Sequence, residues 1–316
     1  MRSPILPEED EWTDLALTPA SITWRRASDI RLLAASGYAL FLQVSHPTVG
    51  EGVSQLSQYR EDPIGRANRT NDFTNQIVYG GPEGSADMGR RVRELHKHVK
   101  GTKADGSPFH ALEPEAYAWV HATGAEAIVK GHDQFGTPFS AKQREQFWQE
   151  WRGVGRFLGI RDRDLPKTWA GYEEYFTEMT TTRLSRTVCV EEVWEAMDSP
   201  LVTRRFDVPG PVKAVLQKVL VRGARQNTVG IMPAHVRKAL GFSWNPLEEA
   251  EFQLNGAMSR ALTPLLPATL KVTGPGYAKR RAADIARGET ASLDTSPHLA
   301  AAGAAAAAGA GAAARS

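Results

Sequence analysis

The sequence contains little of what marks several large classes of protein. It has one cysteine in 316 residues, Cys189, so no internal disulfide and no CxxC or Cys/His zinc site can form. Lys and Arg number 38 against 36 Asp and Glu, which leaves a net charge of +2. This excess is too small to indicate a nucleic-acid-binding surface.

Long hydrophobic segments are also missing. The N-terminal stretch MRSPILPEEDEW is acidic and interrupted by proline, and it lacks the apolar region of a secretory signal. The longest apolar stretch, from Ile30 to Val44, contains Arg31, Ser36 and Gln43, and it is too short and too polar to span a bilayer. We therefore expect a cytoplasmic protein without an integral membrane span, and we leave peripheral membrane contact open.

Common catalytic motifs are absent as well. The chain has no GxGxxG dinucleotide loop, no Walker phosphate loop, no HExxH zinc helix and no GxSxG nucleophile elbow, so the corresponding nucleotide, protease and hydrolase functions have no support. What remains is a set of histidines and a basic cluster in the first 130 residues.

Helical periodicity dominates the sequence, and strand-like alternation is scarce. We predict an all-α protein, a single globular bundle of about nine to twelve helices packed in the style of the globins. This domain should cover residues 25–288, after an N-terminal extension over residues 1–24. The Ala/Gly-rich tail, residues 289–316, has little to bury and is expected to be disordered. The pattern also predicts one long helix over 169–197 and a loop over 102–112.

His121 is predicted to lie on the inward face of the helix that begins at Pro114. Gly124, one turn away, would leave space beside its imidazole. The more common outcome for such a residue is a core histidine hydrogen-bonded to a carbonyl, and the alternative is a ligand-binding role. On the same helix Trp119 is expected to be buried, as is Trp151 in a later apolar-periodic segment.

His96 and His98 lie on either side of a narrow apolar stripe. Periodicity alone does not choose between them, and both could be boundary residues. Gly89, two turns before His96 on the same side, would let a flat group approach. That observation is a weak indication in favour of His96.

A basic cluster lies in the segment Gly65 to Thr70. On a helix Arg66, Arg69 and Thr70 share a face, which is either solvated or a clamp for carboxylates and phosphates. A helical bundle with an inward imidazole and nearby arginines would suit a b-type haem, with iron on the histidine and propionates near arginine.

The segments LFLQVSHPTVGEGV, EDPIGRANRT, RRVRELHKHVKGT and EAYAWVHATG, followed by VGIMPAHVRKALGFSW and LPATLKVTGPGYAKRRA, resemble the MpaB-like oxygenase family, which includes the latex-clearing proteins. The resemblance runs from about residue 25 to 285. It implies an all-α fold that binds haem b and uses dioxygen to cleave carbon–carbon double bonds in isoprenoid chains.

The resemblance also implies roles for individual residues. The axial histidine of the family lies in an HxxVxG pattern, which here begins at His96 and so selects it over His98. The Arg-x-x-Lys-Thr segment beside the haem is matched by Arg66, Arg69 and Thr70. Arginine replaces the lysine that can cap the iron, and because arginine stays protonated it is a poor iron ligand. Glu51 is a candidate acid/base residue, and His121 a further group near the haem.

The sequence therefore predicts a haem b-dependent oxygenase that acts with dioxygen on a small lipophilic, isoprenoid-like substrate. The alternative is a helical carrier or sensor that binds haem or a lipid without turnover. A di-metal carboxylate bundle would need Glu-x-x-His pairs, and the sequence has none.

Overall fold

The structure is a computed structural model that describes residues 6–56, 63–103, 105–198 and 209–272. Within these ranges the side chains of residues 63–69, 268 and 269 are not described. Residues 273–288 of the predicted domain and the predicted tail over 289–316 lie outside the described residues, so the proposed domain boundaries stay a prediction.

Helices dominate the described chain. They are α1 Trp12–Leu15, α2 Ile22–Ala27, α3 Ser36–Val44, α4 Pro47–Leu56, α5 Pro63–Tyr79, α6 Gly81–Lys97, α7 Pro114–Phe135, α8 Ala141–Phe157, α9 Trp169–Thr182, α10 Val188–Ala196, α11 Gly210–Ile231, α12 Ala234–Ala239, α13 Pro246–Leu262 and α14 Ala268–Lys271. Ten of them have nine or more residues. The prediction of a single all-α domain is confirmed.

A small hairpin departs from the predicted loop over 102–112. Strand β1, Lys100–Thr102, pairs antiparallel with β2, Pro108–His110. A turn closes it, in which Gly106 has a φ of 82°, a conformation that favours glycine because it lacks a Cβ. The hairpin packs on α4, and a Cβ at Gly101 would come within 2.8 Å of the Phe109 ring.

Helix α7 passes through the centre of the domain. It contacts α3, α4, α8, α11, α13 and the 3₁₀ turn Ile30–Ala35. Its small residues allow this close approach, and a Cβ at Gly131 would meet Leu32 at 2.8 Å. Trp119 is fully buried, and its indole nitrogen donates to the Leu42 carbonyl at 2.9 Å. Trp151 on α8 is also buried, which confirms the prediction for both tryptophans.

The prediction of one helix over 169–197 is wrong. Helix α9 ends at Thr182 and α10 begins at Val188. The Thr187 hydroxyl accepts a hydrogen bond from the Val190 amide, and it donates to the Val44 carbonyl at 2.8 Å. The Ser185 amide donates to the Ser45 carbonyl at 3.1 Å. An N-cap and two long-range bonds thus replace the helical bonds that would otherwise continue α9.

The first helices pack on the same core. Helix α1 contacts α6 and α8, and α2 contacts α8. The amides of Ile22 and Thr23, at the start of α2, donate to the two carboxylate oxygens of Glu150 at 3.1 and 2.7 Å. A carboxylate at a helix N-terminus satisfies free amides there. Across the described part of the chain, no helix is both long and apolar enough to cross a bilayer.

Candidate functional site

An apolar cavity of about 410 Å³ lies between α4, α5, α6, α7 and the hairpin. This volume is within the range of small-molecule sites. Its walls are mostly aliphatic and aromatic, with side chains that include Val53, Phe73, Ile77, Leu95 and Phe109. None of the described residues that line it carries a carboxylate, an ammonium or a guanidinium group. The cavity therefore suits a ligand with a largely hydrophobic surface.

His96 lines this cavity from the last turn of α6. Its Nδ1 lies 2.7 Å from the Val92 carbonyl, one turn earlier on the same helix. Because a carbonyl only accepts, Nδ1 must carry the proton and donate it. In the neutral ring Nε2 is then an unprotonated acceptor, and no described residue bonds to it. An oriented imidazole of this kind is suited to bind a metal through Nε2.

The electrostatics of the cavity keep this ring neutral. Burial lowers the pKa of His96 below its usual value, the hydrogen bond to Val92 opposes this effect, and nearby His110 lowers the pKa further. The ring also meets Tyr117 edge-on, with 5.5 Å between centroids. A neutral imidazole is the form that binds iron.

The structure separates the two histidines that periodicity left equivalent. His98 is the C-terminal cap residue of α6, and its side chain is 54% exposed. Its Nε2 approaches the exposed Glu94 at 3.9 Å. It does not line the cavity, so of the two only His96 does.

The suggested role of Gly89 is wrong. A Cβ at Gly89 would lie 1.9 Å from the Phe157 carbonyl oxygen, so the glycine allows α6 to pack against the end of α8. The space beside it is filled by backbone and is not open to a flat ligand. Helical periodicity placed Gly89 on the same side of α6 as His96, but it could not show that α8 packs against that position.

His121 also borders the cavity, but one ring nitrogen is already used in the core. Its Nε2 lies 2.8 Å from the Trp151 carbonyl, so Nε2 carries the proton and donates it. Burial lowers the pKa of His121 to about 4. The space expected beside Gly124 is occupied by Trp151, whose Cζ2 would lie 2.9 Å from a Cβ there. This arrangement matches the core-histidine alternative, and His121 forms part of the wall.

The basic cluster, Gly65 to Thr70, reaches the cavity with its last residue. Thr70 on α5 lines it and is exposed, which places this threonine at the open edge. Arg66 and Arg69 precede it on the same helix, and their side chains are outside the described part. Helical spacing puts Arg66 and Thr70 on one face of α5.

Glu51 lies on α4 but does not line the cavity. It is half-buried and accepts a hydrogen bond from Gln55 at 2.9 Å. Its neighbours Gly52 and Val53 form the wall instead. The structure therefore brings His96, His121 and Thr70 around one cavity, and Glu51 is not among the residues that line it.

Sequence reasoning missed other polar wall residues. Thr48 lines the cavity and donates to the Glu113 carboxylate at 3.0 Å. Tyr117 lines it too, and its buried hydroxyl has no hydrogen-bond partner in the described structure. Thr48 follows the His-Pro pair and Tyr117 lies one helical turn before His121, but neither has a spacing that signals its role.

A larger cavity of about 760 Å³ lies between α10, α11 and α13. Two of its arginines are already paired with carboxylates, Arg225 with Asp198 at 2.8 Å and Arg222 with Glu251 at 2.6 Å. No histidine of the described chain lines it. Elsewhere in the described structure, no group of three or more His, Cys, Asp or Glu side chains could hold a metal ion.

The fold and the site together define an all-α domain that encloses an apolar cavity beside an oriented neutral histidine, an arrangement suited to hydrophobic ligands. Residues 24–261 match the family model described as ER-bound oxygenase mpaB/B'/Rubber oxygenase, catalytic domain. The chain therefore belongs to this oxygenase family, which confirms the resemblance seen in the sequence. No curated protein and no solved structure gives a significant match.

Proposed function

We propose that the chain is a haem b-dependent oxygenase in which His96 would bind the haem iron. The single observation that carries this proposal is the fixed tautomer of His96, with Nδ1 bound to the Val92 carbonyl and Nε2 left as a free acceptor beside an apolar cavity. Proteins orient metal-binding histidines in this way. Family membership supports the oxygenase part of the proposal.

The residues present fit such a cofactor. The cavity is apolar, and no described charged side chain lines it, as an iron porphyrin ring requires. The basic cluster, Gly65 to Thr70, reaches the open edge of the cavity at Thr70. There Arg66 and Arg69 would hold the carboxylates of the cofactor, because the guanidinium fork matches carboxylate geometry. When bound, the haem iron would supply dioxygen binding and activation.

The protein itself would contribute binding, orientation and exclusion of water. The walls around Phe73, Ile77 and Phe109 would hold a small lipophilic substrate such as an isoprenoid. His121, tied to Trp151, would keep one side of the cavity rigid. Glu51 would act on the reaction only if α4 brought it nearer to the cavity.

Absorption spectra of purified variants test the ligand assignment. Wild type, His96→Ala, His98→Ala and His121→Ala are produced with haem supplied. We expect a Soret band in wild type and in His98→Ala, which serves as the matched control from the same helix turn, and loss or a strong shift in His96→Ala. A wild-type band in His96→Ala contradicts the assignment. Absence of the band in wild type contradicts the haem proposal.

The alternative function is a carrier or sensor that binds haem or a lipid without turnover, since an apolar cavity serves this as well. Oxygen-electrode measurements on the haem-loaded protein with isoprenoid alkenes distinguish the two. Consumption of dioxygen with cleavage products supports an oxygenase, and tight lipid binding without consumption supports the carrier.

A further inference from the structure

A hydrogen bond connects one polar residue of the cavity wall with an exposed carboxylate. Of the hydrogen bonds made by the described polar wall residues, most end on groups inside the fold. Gln43 donates to Thr123 at 3.0 Å, and His121 donates to the Trp151 carbonyl. Thr74 is exposed and donates to the Thr70 carbonyl of its own helix at 3.0 Å. The bond from Thr48 to Glu113 ends on an exposed carboxylate.

Thr48 is well placed to connect the cavity with solvent. Its side chain is 4% exposed and lines the cavity from the first turn of α4. Its hydroxyl donates to Oε2 of Glu113, the residue that precedes α7. While it donates, a hydroxyl can still accept through its lone pairs. A group in the cavity can therefore bond to the same oxygen that bonds to Glu113.

A buried histidine behind this wall shows that the region is built around ionisable groups. His46 is 4% exposed, and neither ring nitrogen has a hydrogen bond within the described structure. Its Nε2 lies 3.5 Å from Oε1 of Glu115. Leaving a buried nitrogen unpaired costs about 1–3 kcal/mol, and the nearby Glu115 carboxylate offsets part of this cost at Nε2.

The charged groups of this region also act on His46. Burial and the charge of Lys103 lower its pKa, whereas the carboxylates of Glu115 and Glu113 raise it. Glu115 is bound in turn by Arg183, at the end of α9, at 3.1 Å. The Glu113 carboxylate thus lies on an exposed surface of mixed charge, while Thr48 lines the apolar cavity.

We propose that Thr48 and Glu113 form a proton path between the cavity and solvent. A cavity ligand that must lose a proton gives it to the Thr48 oxygen, and Thr48 gives its own hydroxyl proton to the Glu113 carboxylate. One proton leaves the ligand, one arrives on Glu113, and no electron is transferred. The reverse sequence delivers a proton to the cavity. Thr48 contacts the ligand and Glu113 acts through Thr48.

This inference rests on the proposed function, because an oxygenase with a charge-free cavity needs a route for protons. In the described structure no ionisable side chain other than the two histidines and Tyr117 lines the cavity. His96 and His121 already donate their ring protons to backbone carbonyls. The Thr48–Glu113 hydrogen bond offers a proton path that uses neither ring.

Cyanide binding to the ferric haem-loaded protein tests the path without a known substrate. Hydrogen cyanide enters apolar cavities in its neutral form and must lose its proton to bind iron as cyanide. We expect Thr48→Val and Glu113→Gln to slow cyanide association at neutral pH by about a hundredfold, the low end for a positioned proton acceptor. Both changes keep the size of the side chain, and the amide oxygen introduced by Glu113→Gln can still accept the bond from Thr48.

Two controls isolate proton transfer from structure. Thr74→Val removes another hydroxyl from the same cavity, but one bonded within its own helix, and should leave the cyanide rate unchanged. Carbon monoxide carries no proton, and its association with the ferrous protein should be equal in all four proteins. Cyanide rates that are equal in Thr48→Val, Glu113→Gln and Thr74→Val overturn the proton path while leaving the haem proposal intact. A wild type that binds no haem overturns both.

Discussion

The rings of His121 and Trp151 stack with 5.0 Å between centroids and 11° between planes. Each residue also donates a hydrogen bond to the backbone carbonyl of the other. His121 Nε2 lies 2.8 Å from the Trp151 carbonyl, and the Trp151 indole nitrogen lies 3.0 Å from the His121 carbonyl. This reciprocal pair joins α7 to α8 directly behind the cavity wall.

The pair should make stability depend on pH. The pKa of His121 falls from 6.5 to about 4 in the folded protein, chiefly through burial. The unfolded state therefore binds more protons between these values, and stability decreases as pH falls below 6.5. From pH 7 to pH 5 this group alone should reduce the free energy of unfolding by about 2 kcal/mol.

Urea titrations of wild type and His121→Gln at pH 7 and pH 5 measure this effect. The pKa values of His46 and His132 are also lowered, but their contributions are common to both proteins and cancel in the comparison. The variant should lose less stability on acidification than wild type. The same loss in both proteins would show that His121 titrates normally.

Two glycines on α6 should respond in opposite directions to alanine. A Cβ at Gly89 would lie 1.9 Å from the Phe157 carbonyl oxygen, whereas a Cβ at Gly84 would meet nothing within 4 Å. Gly89→Ala must push α6 from α8 and should destabilise by at least about 1–3 kcal/mol. Gly84→Ala should stabilise by about 0.5–1 kcal/mol, because alanine is the better helix former. Thermal or urea unfolding checks both, and a neutral Gly89→Ala would refute the close contact.

The buried Glu126 provides a third prediction. Its carboxyl accepts from Tyr172 at 2.9 Å and from Tyr38 at 3.4 Å, and burial raises its pKa. Tyr172→Phe removes the shorter bond and should cost about 1–3 kcal/mol, since a buried acceptor loses its donor. Tyr175→Phe is the matched control, because the Tyr175 hydroxyl is buried without a partner among the described residues. Chemical denaturation should show a clear loss for the first variant and little change for the second. Equal losses would mean that the bond to Glu126 contributes nothing.

A fourth prediction concerns Arg66 and Arg69. If they hold the cofactor carboxylates, Arg66→Ala and Arg69→Ala should each speed haem loss to an acceptor haemoprotein. Helicity should be retained, because alanine is a good helix former. Arg163→Ala, at a side chain that is 74% exposed and does not line the cavity, is the control. Haem loss at the control rate in both variants would support the solvated-face alternative.

The fold was largely predictable because its helices follow local signals. Ser140 and Gln143, three residues apart, form a capping box at the start of α8, and Pro114 opens α7 as predicted. The break between α9 and α10 was not predictable from local pattern, because the bonds that hold it join Thr187 and Ser185 to residues near position 45. Local propensity contains no information about such distant partners.

The site was predictable only in part. Helical spacing placed His96 beside an apolar stripe, and the family pattern chose it over His98. Neither could show that the Val92 carbonyl fixes its tautomer, because that bond depends on the rotamer of the side chain. The role of Thr48 depends on Glu113, 65 residues later in the chain, so no sequence window contains both.

The corner between α3 and α4 has a consequence for how the protein is assembled. Its carbonyls, at Val44 and Ser45, are bound by Thr187 and Ser185, about 140 positions further along the chain. Contacts over such a separation form late, because the intervening loop must first be closed. Helix α4, which forms one cavity wall, is therefore expected to take its final direction only after α9 and α10 have been synthesised and docked. A ribosome-bound chain that ends before residue 185 would contain every described residue that lines the cavity but would lack the closed corner. Ligand uptake should therefore follow synthesis of the domain rather than accompany it.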